Sequence, residues 1–276
     1  MEKKLPDSPI GVFDSGVGGI SVLADLAYQL PDEQYVYFGD SDNAPYGVRS
    51  NEEVKQLSLN AVDHLLSFKI KALVVACNTA TSVVINELRN NLNIPVIGME
   101  PALKPGIELN KRGKVVVMAT DVTLREKKFN DLIRRLKYAT NVIKMPCLGL
   151  VEMIEKGGEY SDKIRDYVKN AFSQYNTDEI GVIVLGCTHY IFIKDIIVDI
   201  VGENIAIVDG NLGTVRHVKC LLQADNKLTL NKSGKCGETR VKLINSSKDA
   251  DMLVLSRKLL EKRLKSLNWC GTVKYI

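Results

Sequence analysis

Short, wholly apolar runs alternate along this chain with longer stretches in which apolar residues recur every three or four positions. The first run, Ile10-Gly-Val-Phe13, reads as a buried strand, and Asp14-Ser-Gly16-Val-Gly18-Gly19 follows it as a tight glycine-rich turn. Residues 20–30 then have the period of an amphipathic helix, which Pro31-Asp32 ends. Residues 35–38 form a second strand closing on Gly39-Asp40, and the polar loop 41–49 carries Pro45-Tyr46-Gly47. Helical spacing returns over 51–68, with Val54, Leu57, Leu59, Val62, Leu65 and Leu66 apolar. A third strand, Leu73-Val-Val-Ala76, stops on Cys77-Asn78-Thr79, a helix runs to Asn90, and Ile94-Pro-Val-Ile97 is a fourth strand. Strands that are apolar throughout, alternating with helices, predict a parallel sheet covered on both faces.

The same sequence of elements then starts again. Residues 113–119 look like a fresh first strand, 141–145 are strand-like, 162–174 are helical, and Ile183-Val-Leu-Gly-Cys187 is a strand ending on a second cysteine. Matching positions in the two stretches are offset by about 105–110 residues, a repeat of pattern more than of side-chain identity. The expected fold class is therefore α/β, with two similar domains of mainly parallel sheet and the active site in the cleft between them. One more strand at 205–208 and a helical stretch to Leu222 suggest that the chain returns to the first half. The expected division is 1–97 plus 208–276 for one domain and 98–207 for the other. Residues 225–276 alternate lysine with apolar residues and suggest peripheral strands, then a helix around 250–264, with no legible chemistry.

Composition changes this picture little. Lysine and arginine exceed aspartate and glutamate by 37 to 33, a net charge of +4 without a compact basic block, so nucleic acid is not an expected partner. The first residues lack the apolar stretch of a signal peptide, and no uncharged run is long enough to span a bilayer, so a cytoplasmic protein is expected, with no membrane partner. There the six cysteines should be thiols. None has C-x-x-C spacing, so no metal is expected.

Ligands of open parallel sheets bind beyond the carboxyl ends of the strands. The candidates are thus Asp14 and Ser15, the segment 40–47, Cys77-Asn78-Thr79, Thr120 to Thr123, Glu152, and Cys187-Thr188-His189. Several stand where helices are expected to begin, where backbone N–H groups favour an anion. Ser15, Asn78, Thr79 and Thr188 add neutral donors, a set suited to the carboxylates of a small substrate. A thiol at a helix N-terminus is acidified. Two such thiols on opposite faces of one carbon form a proton-transfer pair: one removes a proton, the other returns one, and configuration inverts without a cofactor. Asp14 is placed to help one thiol and His189 the other.

A cysteine at the end of a buried strand is ordinarily a small core residue. Two of them at matching repeat positions, each followed by polar residues, outweigh that explanation. Cys147, Cys220, Cys236 and Cys270 lack the context and read as structural, as do His64 and His217. The run Gly16-x-Gly18-Gly19 also invites a dinucleotide reading, with Asp40 at nearly the expected distance, but the third glycine of G-x-G-x-x-G falls on Ser21. A non-catalytic amino-acid or nucleotide-binding protein on this scaffold is therefore the alternative.

The set Phe13-Asp14-Ser15-Gly16-Val17-Gly18-Gly19, Tyr37-Phe38-Gly39-Asp40, Pro45-Tyr46-Gly47, Ala76-Cys77-Asn78-Thr79-Ala80 and Leu185-Gly186-Cys187-Thr188-His189-Tyr190 resembles glutamate racemase, with the motifs in family order. Aspartate and hydantoin racemases share the two-cysteine plan, and a related amino acid such as aspartate is the alternative substrate. The resemblance implies cofactor-independent interconversion of L- and D-glutamate, supplying D-glutamate for peptidoglycan. It implies Cys77 acting on the D-enantiomer with Asp14, and Cys187 on the L-enantiomer with Glu152 and His189. Asp14, Ser15, Pro45, Tyr46, Gly47, Asn78, Thr79, Thr120, Thr123, Thr188 and His189 would hold the substrate together with the two cysteines. It also implies a homodimer. Gly210 stands where that family usually has serine.

Overall fold

A computed structural model describes residues 7–109, 113–136, 141–156, 161–229 and 237–276. The chain divides into two compact units: Met1–Tyr46, Ser50–Met99 and Asn211–Ile276 in the first, Gly47–Arg49 and Glu100–Gly210 in the second.

In the first unit the apolar runs become β1 (Ile10–Asp14), β2 (Gln34–Gly39), β3 (Ala72–Val75) and β4 (Val96–Gly98). The periodic stretches become α1 (Ile20–Gln29), α2 (Asn51–Leu66) and α3 (Asn78–Asn91). Helix α2 starts in a capping box: the Ser50 side chain accepts from the Glu53 N–H, and the Glu53 carboxylate accepts from the Ser50 N–H. Phe13, Val36, Val54, Leu65, Leu73, Val75, Val84 and Leu88 join one core in which α2 and α3 close on the sheet.

The second unit repeats the plan. It holds α4 (Leu103–Leu109), β5 (Lys114–Ala119), α5 (Asp121–Arg125), α6 (Lys127–Arg135), β6 (Val142–Pro146), α7 (Leu150–Glu155), α8 (Ser161–Phe172), β7 (Ile180–Leu185), α9 (Lys194–Val201) and β8 (Ala206–Asp209). Two cores flank its sheet, one around Met118, Leu150, Val168, Ile183 and Ile197, the other around Leu103, Val115, Val117, Leu124 and Val184.

The chain then re-enters the first unit with α10 (Asn211–Ala224), β9 (Glu238–Asn245), α11 (Ala250–Ser266) and β10 (Thr272–Tyr275). Strands β9 and β10 extend the first sheet beyond β2, giving the order β10-β9-β2-β1-β3-β4, against β6-β5-β7-β8 in the second. Every pairing is parallel. The expected internal repeat is realised in topology: β2-β1-β3-β4 and β6-β5-β7-β8 have the same order, so β3 and β7 are equivalent strands. The lysine-rich tail, read as peripheral strands and a helix, adds edge strands as expected, with β10 following α11 as a further strand.

Two findings depart from the sequence reading. The stretch after Cys187 is a 3₁₀ turn over Thr188–Ile193, and α9 begins only at Lys194. Side chains three apart eclipse in a 3₁₀ turn, and Cys187, Tyr190 and Ile193 all enter the same core, so an apolar period of three selects that geometry. Cys270 is disulfide-bonded, against the expectation of six thiols, while Cys77, Cys147, Cys187 and Cys220 are thiols. Cys236 lies outside the described residues.

Candidate active site

The first unit gathers Asp14, Ser15, Asp40, Tyr46, Cys77, Asn78 and Thr79 at the carboxyl ends of β1, β2 and β3. Strand β1 lies between β2 and β3, with Asp14 opposite Gly39 and Phe13 opposite Val75. This register brings the turn after β1 level with the end of β3. Asp14 is fully buried, and its Oδ1 accepts the Gly16 N–H at 3.0 Å. A Cβ on Gly19 would come within 2.5 Å of the Asp14 Cβ, so only glycine lets α1 start this close to the carboxylate.

Cys77 is the N-cap of α3. Its Sγ accepts the Ala80 N–H at 3.4 Å and stands 3.3 Å from Ser15 Oγ. A sulfur in this position lies at the positive end of a 14-residue helix, where a thiolate is favoured. Asn78 is buried beside it, and its Oδ1 has no hydrogen-bond partner among the described residues. The Tyr46 hydroxyl, buried, donates to Asp40 Oδ2 at 2.6 Å, and Asn43 Nδ2 donates to both Asp40 oxygens. Burial first, then the Asp40 hydrogen bond and the charges of Asp40, Cys77 and Asp14, push the Tyr46 phenol up, so it stays a donor. The Ala44–Pro45 bond in this loop is cis.

The second unit gathers Thr120, Thr123, Cys187, Thr188 and His189 at the carboxyl ends of β5 and β7. Thr120 caps α5, its Oγ1 accepting the Thr123 N–H and lying 3.0 Å from Thr123 Oγ1. Gly47 belongs to this unit, and a Cβ there would meet Thr120 Cγ2 at 2.7 Å, a close approach that requires glycine.

Cys187 is not capped as Cys77 is: its sulfur makes no capping hydrogen bond to the turn that follows. Its partner is His189, with Nδ1 3.7 Å from the sulfur. The other ring nitrogen, Nε2, lies 2.9 Å from Glu155 Oε1. The carboxylate on His189 is thus Glu155, at the end of α7, a residue that sequence reasoning missed. Glu152, chosen from the sequence, stands one turn earlier on the same helix. Both glutamates suit one helical face, and only the packing of α7 on the 3₁₀ turn separates them. Burial opposes charge on the His189 ring, but hydrogen bonds to Cys187 and Glu155 and their negative charge outweigh it and hold the imidazole well above its ordinary value. Sulfur, imidazole and carboxylate thus lie in one row, an arrangement that can pass a proton.

Cys147 is buried, and burial together with the nearby Cys187 pushes its thiol up to about 12, leaving it neutral. Its carbonyl accepts from the buried Tyr190 hydroxyl. His64 packs between the rings of Phe38 and Phe68, and His217 is exposed. Among the described residues no group of three or more His, Cys, Asp or Glu is placed to hold a metal ion, and no helix is long and apolar enough to cross a membrane.

A family profile described as Asp/Glu/Hydantoin racemase matches residues 10–218. A glutamate racemase of Clostridium botulinum is 52% identical over 254 residues, covering 92% of this chain and 97% of that protein. The crystal structure of a glutamate racemase isoform from Bacillus anthracis superposes with a TM-score of 0.79 at 30% identity, over 98% of this chain and 97% of the other. The glutamate racemase of Francisella tularensis, solved in complex with D-glutamate, gives 0.76 at 27% identity, over 99% and 98%. The resemblance read from five short motifs extends across nearly the whole chain, and this protein belongs to the Asp/Glu/hydantoin racemase family and is an amino-acid racemase.

Proposed function

We propose that the chain interconverts L- and D-glutamate by proton transfer between two thiols, Cys77 and Cys187, acting on opposite faces of the substrate Cα. The observation that carries this reading is the equivalence of β3 and β7, each of which runs into a cysteine held by its own polar partners. One thiolate removes the Cα proton, the opposite thiol supplies one, and the product has the other hand. No step calls on a cofactor. Cys77 works on the D-enantiomer beside Asp14, and Cys187 on the L-enantiomer with His189 and Glu155. Glutamate, in place of aspartate, is favoured by the Clostridium relative and by the Francisella structure, which was solved in complex with D-glutamate.

Substrate carboxylates and ammonium are met by Ser15, the Pro45-Tyr46-Gly47 segment, Asn78, Thr79, Thr120, Thr123 and Thr188. The unpartnered, buried Asn78 Oδ1 supports a ligand at the start of α3. The reading needs the carboxyl ends of both sheets to reach one substrate. It assigns the product to peptidoglycan synthesis in the cytoplasm and the working form to a homodimer.

The test is to make Cys77→Ala and Cys187→Ala separately and to follow optical rotation from each enantiomer. General acid–base groups contribute about 10²–10⁴-fold, so each variant is expected to lose racemisation by at least that much. Near-normal turnover in either variant would remove the two-thiol mechanism.

A further inference from the structure

The buried Ser15–Cys77 contact carries an inference that rests on the reading of Cys77 as a base and deepens it. Ser15 lies in the turn between β1 and α1, and its Oγ is 3.3 Å from Cys77 Sγ, with both side chains buried. A second donor, the Ala80 N–H of α3, reaches the same sulfur at 3.4 Å from a different element. We propose that the Ser15 hydroxyl donates to the Cys77 thiolate and holds that cysteine in its charged form.

The chemistry fixes the direction of the bond. A thiolate has no proton to give, so once Cys77 is ionised only the hydroxyl can donate. Burial raises a thiol's pKa unless hydrogen bonds or positive charge compensate. The titratable groups that act on Tyr46 together with this sulfur are carboxylates. Asp14 at the end of β1, Asp40 at the end of β2 and Cys77 itself all act on Tyr46, whose hydroxyl is given to Asp40. Carboxylates disfavour a third negative charge. The groups that favour its charge include the α3 N-terminus, the Ala80 N–H and the Ser15 hydroxyl, and the last is one that a side-chain substitution removes cleanly. This makes Ser15 a thiolate-stabilising residue and not solely a substrate contact.

The discriminating readout is the titration of Cys77 itself. L- and D-glutamate are equal in free energy, so kcat/KM must be the same in both directions at every pH, and rate profiles cannot isolate one thiol. The ultraviolet thiolate absorption of the full chain is followed against pH, taking Cys77→Ala as the reference to isolate the Cys77 signal, and the Ser15→Ala protein is compared with its own Ser15→Ala/Cys77→Ala reference. Losing one hydrogen bond to a charged sulfur is expected to raise the midpoint by about one pH unit, and Ser15→Thr, which keeps a hydroxyl, is expected to return it. An unchanged midpoint overturns the proposal. A lowered midpoint also overturns it, because it would mean that the hydroxyl accepts from the neutral thiol. A Ser15→Thr midpoint as high as that of alanine removes the hydroxyl as the cause. Racemisation by the unsubstituted chain is assayed separately: its absence would defeat the functional reading while leaving the titration result standing.

Discussion

The sulfur of Cys77 is held by a backbone N–H at the start of a helix and by a hydroxyl, whereas the sulfur of Cys187 faces an imidazole backed by a carboxylate. The two arrangements differ in what pH does to them. His189 has its value raised by Cys187 and Glu155, against the opposing effect of burial. A histidine so raised stabilises the fold fully below its unfolded value of about 6.5 and loses that contribution as pH climbs through the higher folded value. The urea midpoint of His189→Asn is therefore predicted to fall furthest below that of the unsubstituted chain near pH ~6 and to approach it at alkaline pH. A gap that grows with rising pH would contradict this. At this scale the sequence told much about position and less about partnership. Cys77 and Cys187 are legible because each stands just beyond an apolar strand, and His189 because it is two residues after Cys187. Glu155 is not, since one-turn spacing on α7 leaves Glu152 equally plausible. Nor is the Asp40–Tyr46 hydrogen bond, which depends on how the loop after β2 folds back.

Elements were read from periodicity, and periodicity is blind to contacts far apart in sequence. The amino-terminal edge of the first sheet shows what this costs. Lys71, just before β3, is fully buried and pairs with Glu33 at 2.5 Å. Its Nζ also donates to the Lys227 carbonyl at 2.9 Å, and the Thr229 N–H donates to Glu33 Oε1 at 2.8 Å. The chain leaving α10 is thus tied to the edge where β3 begins. Removing one member of a buried, hydrogen-bonded pair strands the other charge and typically costs about 3–5 kcal/mol. Lys71→Ala is predicted to destabilise the first unit by that amount in equilibrium urea unfolding. A loss below about 1 kcal/mol would show that Glu33 finds other partners or takes up a proton. The 3₁₀ turn at Thr188–Ile193 escaped the sequence reading for a related reason: a period of three is close to 3.6 over six residues, and core packing decides between them.

Over the whole molecule, the repeated succession of elements along the chain is what the sequence conveyed best. A strand, turn and helix pattern repeated after about 105–110 residues corresponds to β2-β1-β3-β4 and β6-β5-β7-β8. The tail is the asymmetric part. Strands β9 and β10 extend only the first sheet, where β9 pairs with β2 from Gln34↔Arg240 to Gly39↔Asn245. A repeated plan with a cysteine at the same strand end in each copy supports the proposed pair of bases, and that proposal has a direct test. L-glutamate is incubated with the unsubstituted chain in deuterated water without added cofactor, and the two enantiomers are separated and weighed early in the reaction. The account predicts deuterium at Cα of the D-glutamate formed and almost none in the L-glutamate that remains, because the proton removed by one thiol is not the one delivered by the other. Equal labelling of both enantiomers would mean a single base, and the absence of both deuterium and D-glutamate would contradict the racemisation itself.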